Sequence, residues 1–351
     1  MSYESSLARR LVPYVAGEQP KEQKLIKLNT NENPYQAPES VLKAVEAEVP
    51  NLRLYPDMES TALREAISEA VHVAPEQVFC GNGSDEVLAF SFAAFFSGKK
   101  TYTPSIGYSF YPVYANLFGA VLTAVPMLDG FRVDVDGLMR DGPIVLANPN
   151  APTSLGLGLE EIRRLCEHAK SLGEILLVDE AYAAFARENA QELLKEYDNL
   201  LIVRTFSKSH ALAGMRVGYA IGDEGLIQSL RKVRDSFNSY PVDRLAQAAA
   251  AAAVRDEAWL EESVKRICTS RDRAIRRLRE AGIEVLDSQT NFLFVRAGRE
   301  DAAPVQKKLR DQGVLVRHFA APGLSPYLRV TIGTEEDTET VTNLLLEMIR
   351  A

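Results

Sequence analysis

Between residues 51 and about 231, short apolar runs alternate with amphipathic stretches. The runs at 121–125, 144–147, 175–178 and 200–203 are apolar throughout, not at every second position. Such runs suit strands covered on both faces. The stretches 61–71, 85–96, 108–118 and 160–172 space their apolar residues as a helix does. Strand–helix alternation of this kind predicts an α/β fold with a mainly parallel sheet and helices on both sides. Ligands of such sheets bind beyond the carboxyl ends of the strands.

The pattern changes near Asp243, where a long helix containing the alanine run 248–253 is expected. Alanine is the strongest helix former and lets helices pack closely, so this segment reads as a helix joining two domains. Mixed elements follow: a strand at 292–295, a helix near 302–311, strands at 314–316 and 327–332, and a closing helix from Glu335. Strands and helices without regular alternation suggest a smaller α+β domain. The expected division is an N-terminal arm 1–30, a large domain 31–242 and a small C-terminal domain 243–351.

Composition narrows the class. With 46% hydrophobic and 25% charged residues the chain is an ordinary globular protein. Its net charge of -8 argues against a nucleic-acid partner. No apolar run approaches the roughly 20 residues that span a bilayer, so no membrane partner is expected. The first residues lack the basic-then-apolar order of a signal peptide. Cys80, Cys166 and Cys268 are odd in number and far apart, which is no disulfide framework. Cys166 and His168 are close, but no further Cys or His cluster accompanies them, and no metal is expected. A cytoplasmic enzyme is the expectation.

The candidate chemistry lies at strand ends. Lys208, in Thr205-Phe206-Ser207-Lys208-Ser209-His210, follows the run 200–203. A lysine there is costly to bury as an ammonium and is a candidate nucleophile toward an aldehyde. Gly81-Asn82-Gly83-Ser84-Asp85 precedes a helical pattern, where backbone amides and the helix N-terminus favour an anion. A plain turn explains it about as well; Glu86 also stands where a dinucleotide fingerprint needs its third glycine. Asn148-Pro149-Asn150-Ala151-Pro152-Thr153 makes a rigid loop with exposed amides, or an ordinary turn. Asp179 ends an apolar run and needs a partner, either a helix N-terminus or a protonated ring nitrogen. Tyr182, three residues on, shares its face, while Ser207 and Arg216 flank Lys208 and can clamp a phosphate.

In this order the segments resemble the aspartate-aminotransferase superfamily of pyridoxal-phosphate enzymes, fold type I. Within it the likeness is to the class II histidinol-phosphate aminotransferase family. Supporting stretches are Leu28-Asn29-Thr30-Asn31-Glu32-Asn33-Pro34-Tyr35, Leu54-Tyr55-Pro56-Asp57, Tyr108-Ser109-Phe110-Tyr111-Pro112, Thr290-Asn291-Phe292, Gly313-Val314-Leu315-Val316-Arg317 and Tyr327-Leu328-Arg329-Val330-Thr331-Ile332-Gly333. The likeness covers nearly the whole chain.

The resemblance implies transamination of histidinol phosphate with 2-oxoglutarate, using pyridoxal 5'-phosphate bonded to Lys208. Asp179 would pair with the ring nitrogen, Asn150 and Tyr182 would bond the phenolic oxygen, and Tyr108 would stack on the ring. Ser84, Asp85, Ser207 and Arg216 would hold the phosphate, joined by Tyr55 from the neighbouring subunit of a homodimer with shared sites. Arg329 and Arg317 would receive the substrate's phosphate or carboxylate, with Asn33, Asn291 and Tyr14 near the substrate. The sequence departs from the family pattern at Ala151, which replaces an asparagine not assigned to the cofactor. Ser154 replaces a glycine, which leads one to expect a different local backbone, and His210 reads as a helix-start residue and not as an acid or base. An aromatic-amino-acid aminotransferase and a phosphothreonine decarboxylase share the motifs and compete. A cofactor-sensing regulator fits poorly, because no basic module precedes the domain.

Overall fold

The computed structural model describes residues 3–14, 17–19 and 25–350; of the arm 1–30, residues 1, 2, 15, 16 and 20–24 lie outside the described residues. A seven-stranded sheet runs in the order Val78–Asn82, Val217–Gly222, Leu200–Thr205, Leu176–Asp179, Ile144–Ala147, Lys100–Pro104, Val121–Val125. Only Val217–Gly222 is antiparallel to its neighbours. The central runs are apolar on both faces because both faces are covered: Ile144, Leu176, Leu177 and Leu200 have no exposed surface. Removing each such side chain from water contributes about 1.5–3 kcal/mol.

Register aligns the strand ends. Ala147 pairs with Asp179, Asp179 with Val203, Thr205 with Gly218 and Asn82 with Val217. The loops after Asn82, Ala147, Asp179 and Thr205 therefore open on one edge, where an open α/β sheet binds its ligand.

Helix Leu159–Ser171 buries Ile162, Leu165, Cys166 and Ala169 at helical spacing, and the Glu161 carboxylate caps its start by accepting from the Gly158 amide. Cys166 thus belongs to the core, while His168 meets the Arg140 carbonyl. Arg244–Arg255, the alanine helix, packs against helices Glu39–Glu48 and Thr61–Val71 of the large core, with Asp243 capping Ala246. The next helix, Glu257–Glu280, packs on the smaller sheet and on the closing helix Glu335–Arg350.

That smaller sheet has the order Ile26–Leu28, Val314–His318, Tyr327–Thr331, Phe292–Arg296. Its first strand comes from the arm, parallel to Val314–Val316. The chain leaving it at Asn29 passes directly to the edge of the large sheet. Of the expected helices, 85–96 divides into Gly83–Ser91 and a wider turn Phe92–Phe96, and 108–118 begins only at Tyr111 with Pro112 in its first turn. Among the described residues no helix is long and apolar enough to cross a membrane.

Candidate active site

Lys208 lies in the turn after Leu200–Thr205, and its Nζ donates to the Thr30 carbonyl at 2.9 Å. Burial, together with the charge of Arg329, pushes its amine down to about 8. Near neutral pH about a tenth of it is the free nucleophile, far more than of an exposed lysine.

Asp179 is buried at the end of its strand, and burial pushes its carboxyl up to about 7. It accepts from the Tyr111 hydroxyl at 3.1 Å and from the Ala181 amide at 3.2 Å. No cation pairs with it among the described residues, so the site favours a bound cationic nitrogen. Tyr111 was not singled out from the sequence; its spacing of three from Tyr108 was the available signal.

An anion cradle stands at the N-terminus of helix Gly83–Ser91. Arg216 Nη1 reaches Ser207 Oγ at 3.3 Å, and Ser207 Oγ also accepts from Thr205 Oγ1 at 3.0 Å. Two glycines make room. A Cβ on Gly83 would lie 2.5 Å from Arg216 Nη2, and one on Gly218 would lie 2.2 Å from the Ser84 amide nitrogen. The Asp85 carboxylate is engaged with Arg216 Nη2 at 2.9 Å and the Tyr108 hydroxyl at 2.7 Å. A carboxylate repels a phosphate, so the backbone amide is the group that position 85 can offer an anion.

Asn150 is buried; its Nδ2 donates to the Ile106 carbonyl and to Thr153 Oγ1, and its Oδ1 has no partner. Tyr182 accepts from Asn31 Nδ2 at 2.9 Å. Ala151 packs in the same apolar cluster as Tyr182. Ser154 takes φ +69°, the conformation a glycine would take, so the backbone stays as the glycine pattern has it. His210 starts no helix: it lies in the turn before Ala213–Met215, with Nδ1 2.9 Å from Ser209 Oγ. Burial pushes His210 down to about 4, so it is neutral near pH 7.

Arg317 and Arg329 are register partners on adjacent antiparallel strands and therefore share a face. Arg329 Nη2 donates to the Asn29 carbonyl at 3.0 Å, and its Nε is buried without a partner. Tyr14 stacks on Phe110 at 4.3 Å and lies within electrostatic reach of Tyr182 and Arg329. Asn33 is spent on structure: its Nδ2 donates to the Ser209 carbonyl and Ser263 Oγ, and its Oδ1 accepts from the Tyr35 amide. That leaves Asn33 no free donor for a substrate. Asn291 donates to the Asn31 carbonyl, with Oδ1 unpartnered. Tyr55 is not brought to this site within the chain; it is 78% exposed and stacks on Tyr240 at 4.7 Å.

A buried lysine with a depressed pKa, a buried carboxylate and an anion cradle on one edge of this sheet define a transferase of the aminotransferase class. The chain belongs to the family "Aminotransferase class I and II", which matches residues 23–345. Within that family it is 48% identical to histidinol-phosphate aminotransferase 1 of Bradyrhizobium diazoefficiens, over 98% of this chain and 99% of that one. It is also 48% identical to the histidinol-phosphate aminotransferase of Gluconacetobacter diazotrophicus, over 97% and 96% of the two chains. Among solved structures, the histidinol-phosphate aminotransferase of Sinorhizobium meliloti in complex with pyridoxal-5'-phosphate superposes with TM-score 0.89 at 27% identity, covering 100% and 98% of the chains. A Thermus thermophilus aspartate aminotransferase mutant, at 22% identity and TM-score 0.83, shares the fold over 99% and 100% of the chains.

Proposed function

We propose that this chain transfers the amino group of histidinol phosphate to 2-oxoglutarate, giving imidazole-acetol phosphate and glutamate in histidine biosynthesis, with pyridoxal 5'-phosphate as cofactor. The observation that carries the substrate reading is the pair Arg317 and Arg329, two guanidiniums on one face of the small sheet. A planar fork of donors accepts a phosphate or a carboxylate alike, and two such forks side by side can hold either. One pocket can thereby serve a phosphorylated amine and a dicarboxylic oxo acid in turn.

The residues present fit the cofactor. The buried Asp179, which no cation pairs among the described residues, suits a protonated ring nitrogen, and the cradle that a Cβ at Gly83 or Gly218 would fill suits a phosphate. When bound, the cofactor supplies an electron-withdrawing ring that takes up the charge released at the substrate's α-carbon. Lys208 holds it covalently, and its amine, once displaced by the substrate, moves the α-proton. Asp179 would keep the ring nitrogen protonated, Tyr182 would donate to the ring oxygen, Asn150 would reach it once its Nδ2 leaves the Ile106 carbonyl or Thr153 Oγ1, and Tyr108 would stack on the ring. Ser84 and Asp85 through their amides, with Ser207 and Arg216, clamp the phosphate. Asn291 and Tyr14 border the substrate.

Tyr55 would complete the cradle from a second copy in a homodimer. Its exposure supports this, as do the exposed Leu52, Leu54, Phe237 and Tyr240, since exposed apolar side chains gathered in a patch mark an interface. The three unpaired cysteines agree with a reducing cytoplasm.

Initial rates with 2-oxoglutarate test the substrate. Histidinol phosphate should be turned over faster than phenylalanine or tyrosine. The reverse order would make the chain an aromatic aminotransferase, and carbon dioxide release from phosphothreonine would make it a decarboxylase.

A further inference from the structure

Asn31 is almost fully buried, at 1% exposure, in the left-handed region at φ +58°. Four contacts hold it there. Its backbone amide donates to Thr331 Oγ1 at 3.0 Å, and the Thr331 hydroxyl donates back to Asn31 Oδ1 at 3.0 Å. Its carbonyl accepts from Asn291 Nδ2, and its own Nδ2 donates to the Tyr182 hydroxyl oxygen at 2.9 Å. Thr331 Oγ1 already accepts from the Asn31 amide, so its single hydrogen is the one available for Oδ1. That exchange fixes which way the Asn31 amide points and turns the NH2 group toward Tyr182.

The consequence falls on Tyr182. Burial raises the phenol above its ordinary value, so it keeps its proton. Its oxygen accepts from Asn31, and no acceptor for its hydrogen stands among the described residues. We infer that Asn31 is a positioning residue that makes Tyr182 a one-way donor, its hydrogen reserved for the ring oxygen of the cofactor. This rests on the reading, made above, that Tyr182 faces that oxygen. A donor there stabilises negative charge on the oxygen, so the proton shared between it and the Lys208 nitrogen leaves at lower pH.

Asn31→Asp tests it, because aspartate has the same shape, tolerates the left-handed backbone and replaces the donor by an acceptor. The phenol would then turn inward to donate to the carboxylate. The measurement is the pH midpoint of the visible absorbance change of the purified, cofactor-loaded enzyme. Tyr182→Phe and Asn31→Asp should each raise that midpoint by about one pH unit or more, the size of one charge-assisted hydrogen bond. Thr331→Val should move it in the same direction and Thr331→Ser should leave it in place. This second pair decides the matter if Asn31→Asp does not fold. A raised midpoint in Tyr182→Phe with none in Asn31→Asp or Thr331→Val would overturn the role of Asn31 alone. No shift in Tyr182→Phe would overturn the reading of Tyr182, and this inference with it.

Discussion

Arg317 and Arg329 stand opposite one another across two antiparallel strands, and both guanidiniums lie over the ring of Phe319, at 5.5 and 5.4 Å. The aromatic face steadies the two cations before an anion arrives. Arg329 is anchored through Nη2 to the Asn29 carbonyl, so its geometry is set by the strand that leaves the small sheet for Lys208. Replacing Arg329 by Gln should lower kcat/KM by about 10- to 100-fold for both amine and oxo acid, since a charge-assisted bond is worth about 1.5–3 kcal/mol. Arg317→Gln should weaken the phosphorylated amine more than glutamate. Steady-state kinetics with each substrate varied in turn would measure both, and an unaltered KM for the phosphorylated amine in Arg317→Gln would remove it from the pocket.

The two buried ionisable groups act oppositely on pH. Lys208 is pushed down to about 8, so between pH 8 and its ordinary value of 10.5 the unfolded chain holds a proton that the folded, cofactor-free chain does not. Its stabilising share therefore rises with pH through that window. Asp179 is pushed up to about 7 from 3.8, so the folded chain holds the extra proton, and stability falls as pH rises from about 4 to 7. Freed of cofactor, Lys208→Met should melt higher than the parent at pH 7.5, with the gain shrinking toward pH 10.5. For Asp179→Asn the gain should grow from pH 4 to pH 7 and then level off. Both variants should lose most of their activity. Calorimetric melting of the cofactor-free proteins across this range would check the two opposite slopes.

The sheet was legible because its central strands carry apolar runs without alternation, Asp179 because it ends such a run, and Lys208 because it stands in the turn just after one. Three strands of the large sheet were missed for the same reason in reverse. Lys100–Pro104 alternates with threonines, Val78–Asn82 breaks off at Gly81 and Val217–Gly222 contains two glycines, so none reads as a continuous apolar run. The place of Asn31 was not legible at all. Its partners Thr331 and Tyr182 are 300 and 151 residues away, and no local pattern reports a contact at that distance. Ile26–Leu28 likewise reads as part of an arm until its partner Val314–Val316 is known.

Gly218 faces Gly81 in the strand pairing, and a Cβ there would meet the Ser84 nitrogen at 2.2 Å. Nothing flexible can yield, because the obstacle is backbone at the start of the helix that forms the anion cradle. Gly218→Ala should cost about 1–3 kcal/mol of stability, the usual range for overpacking, and displace the Ser84 amide from the cradle. Equilibrium dialysis should give a cofactor Kd at least about tenfold higher, in keeping with the loss of one such bond. A Kd equal to the parent's would mean that the Ser84 amide does not bind the phosphate.

Tyr55 supplies the test of a shared site. Its ring rests on Tyr240, its carbonyl accepts from Arg244 at 2.8 Å, and among the described residues its hydroxyl bonds to no site residue of its own chain. If Tyr55 serves the cradle of a second copy, Tyr55→Phe and Lys208→Ala damage different subunits' contributions to one site. A heterodimer of the two carries one site that lacks both groups and one that has both. Mixed and reassembled in equal amounts, the variants should form about half heterodimer by random pairing, each with one intact site, so recovery should approach a quarter of parental activity. Lys208→Ala is inactive alone, so it contributes nothing to the background. Tyr55→Phe alone sets the baseline, which cofactor titration would define. Activity no higher than that of the same amount of Tyr55→Phe subunit assayed alone would place Tyr55 outside the neighbouring site.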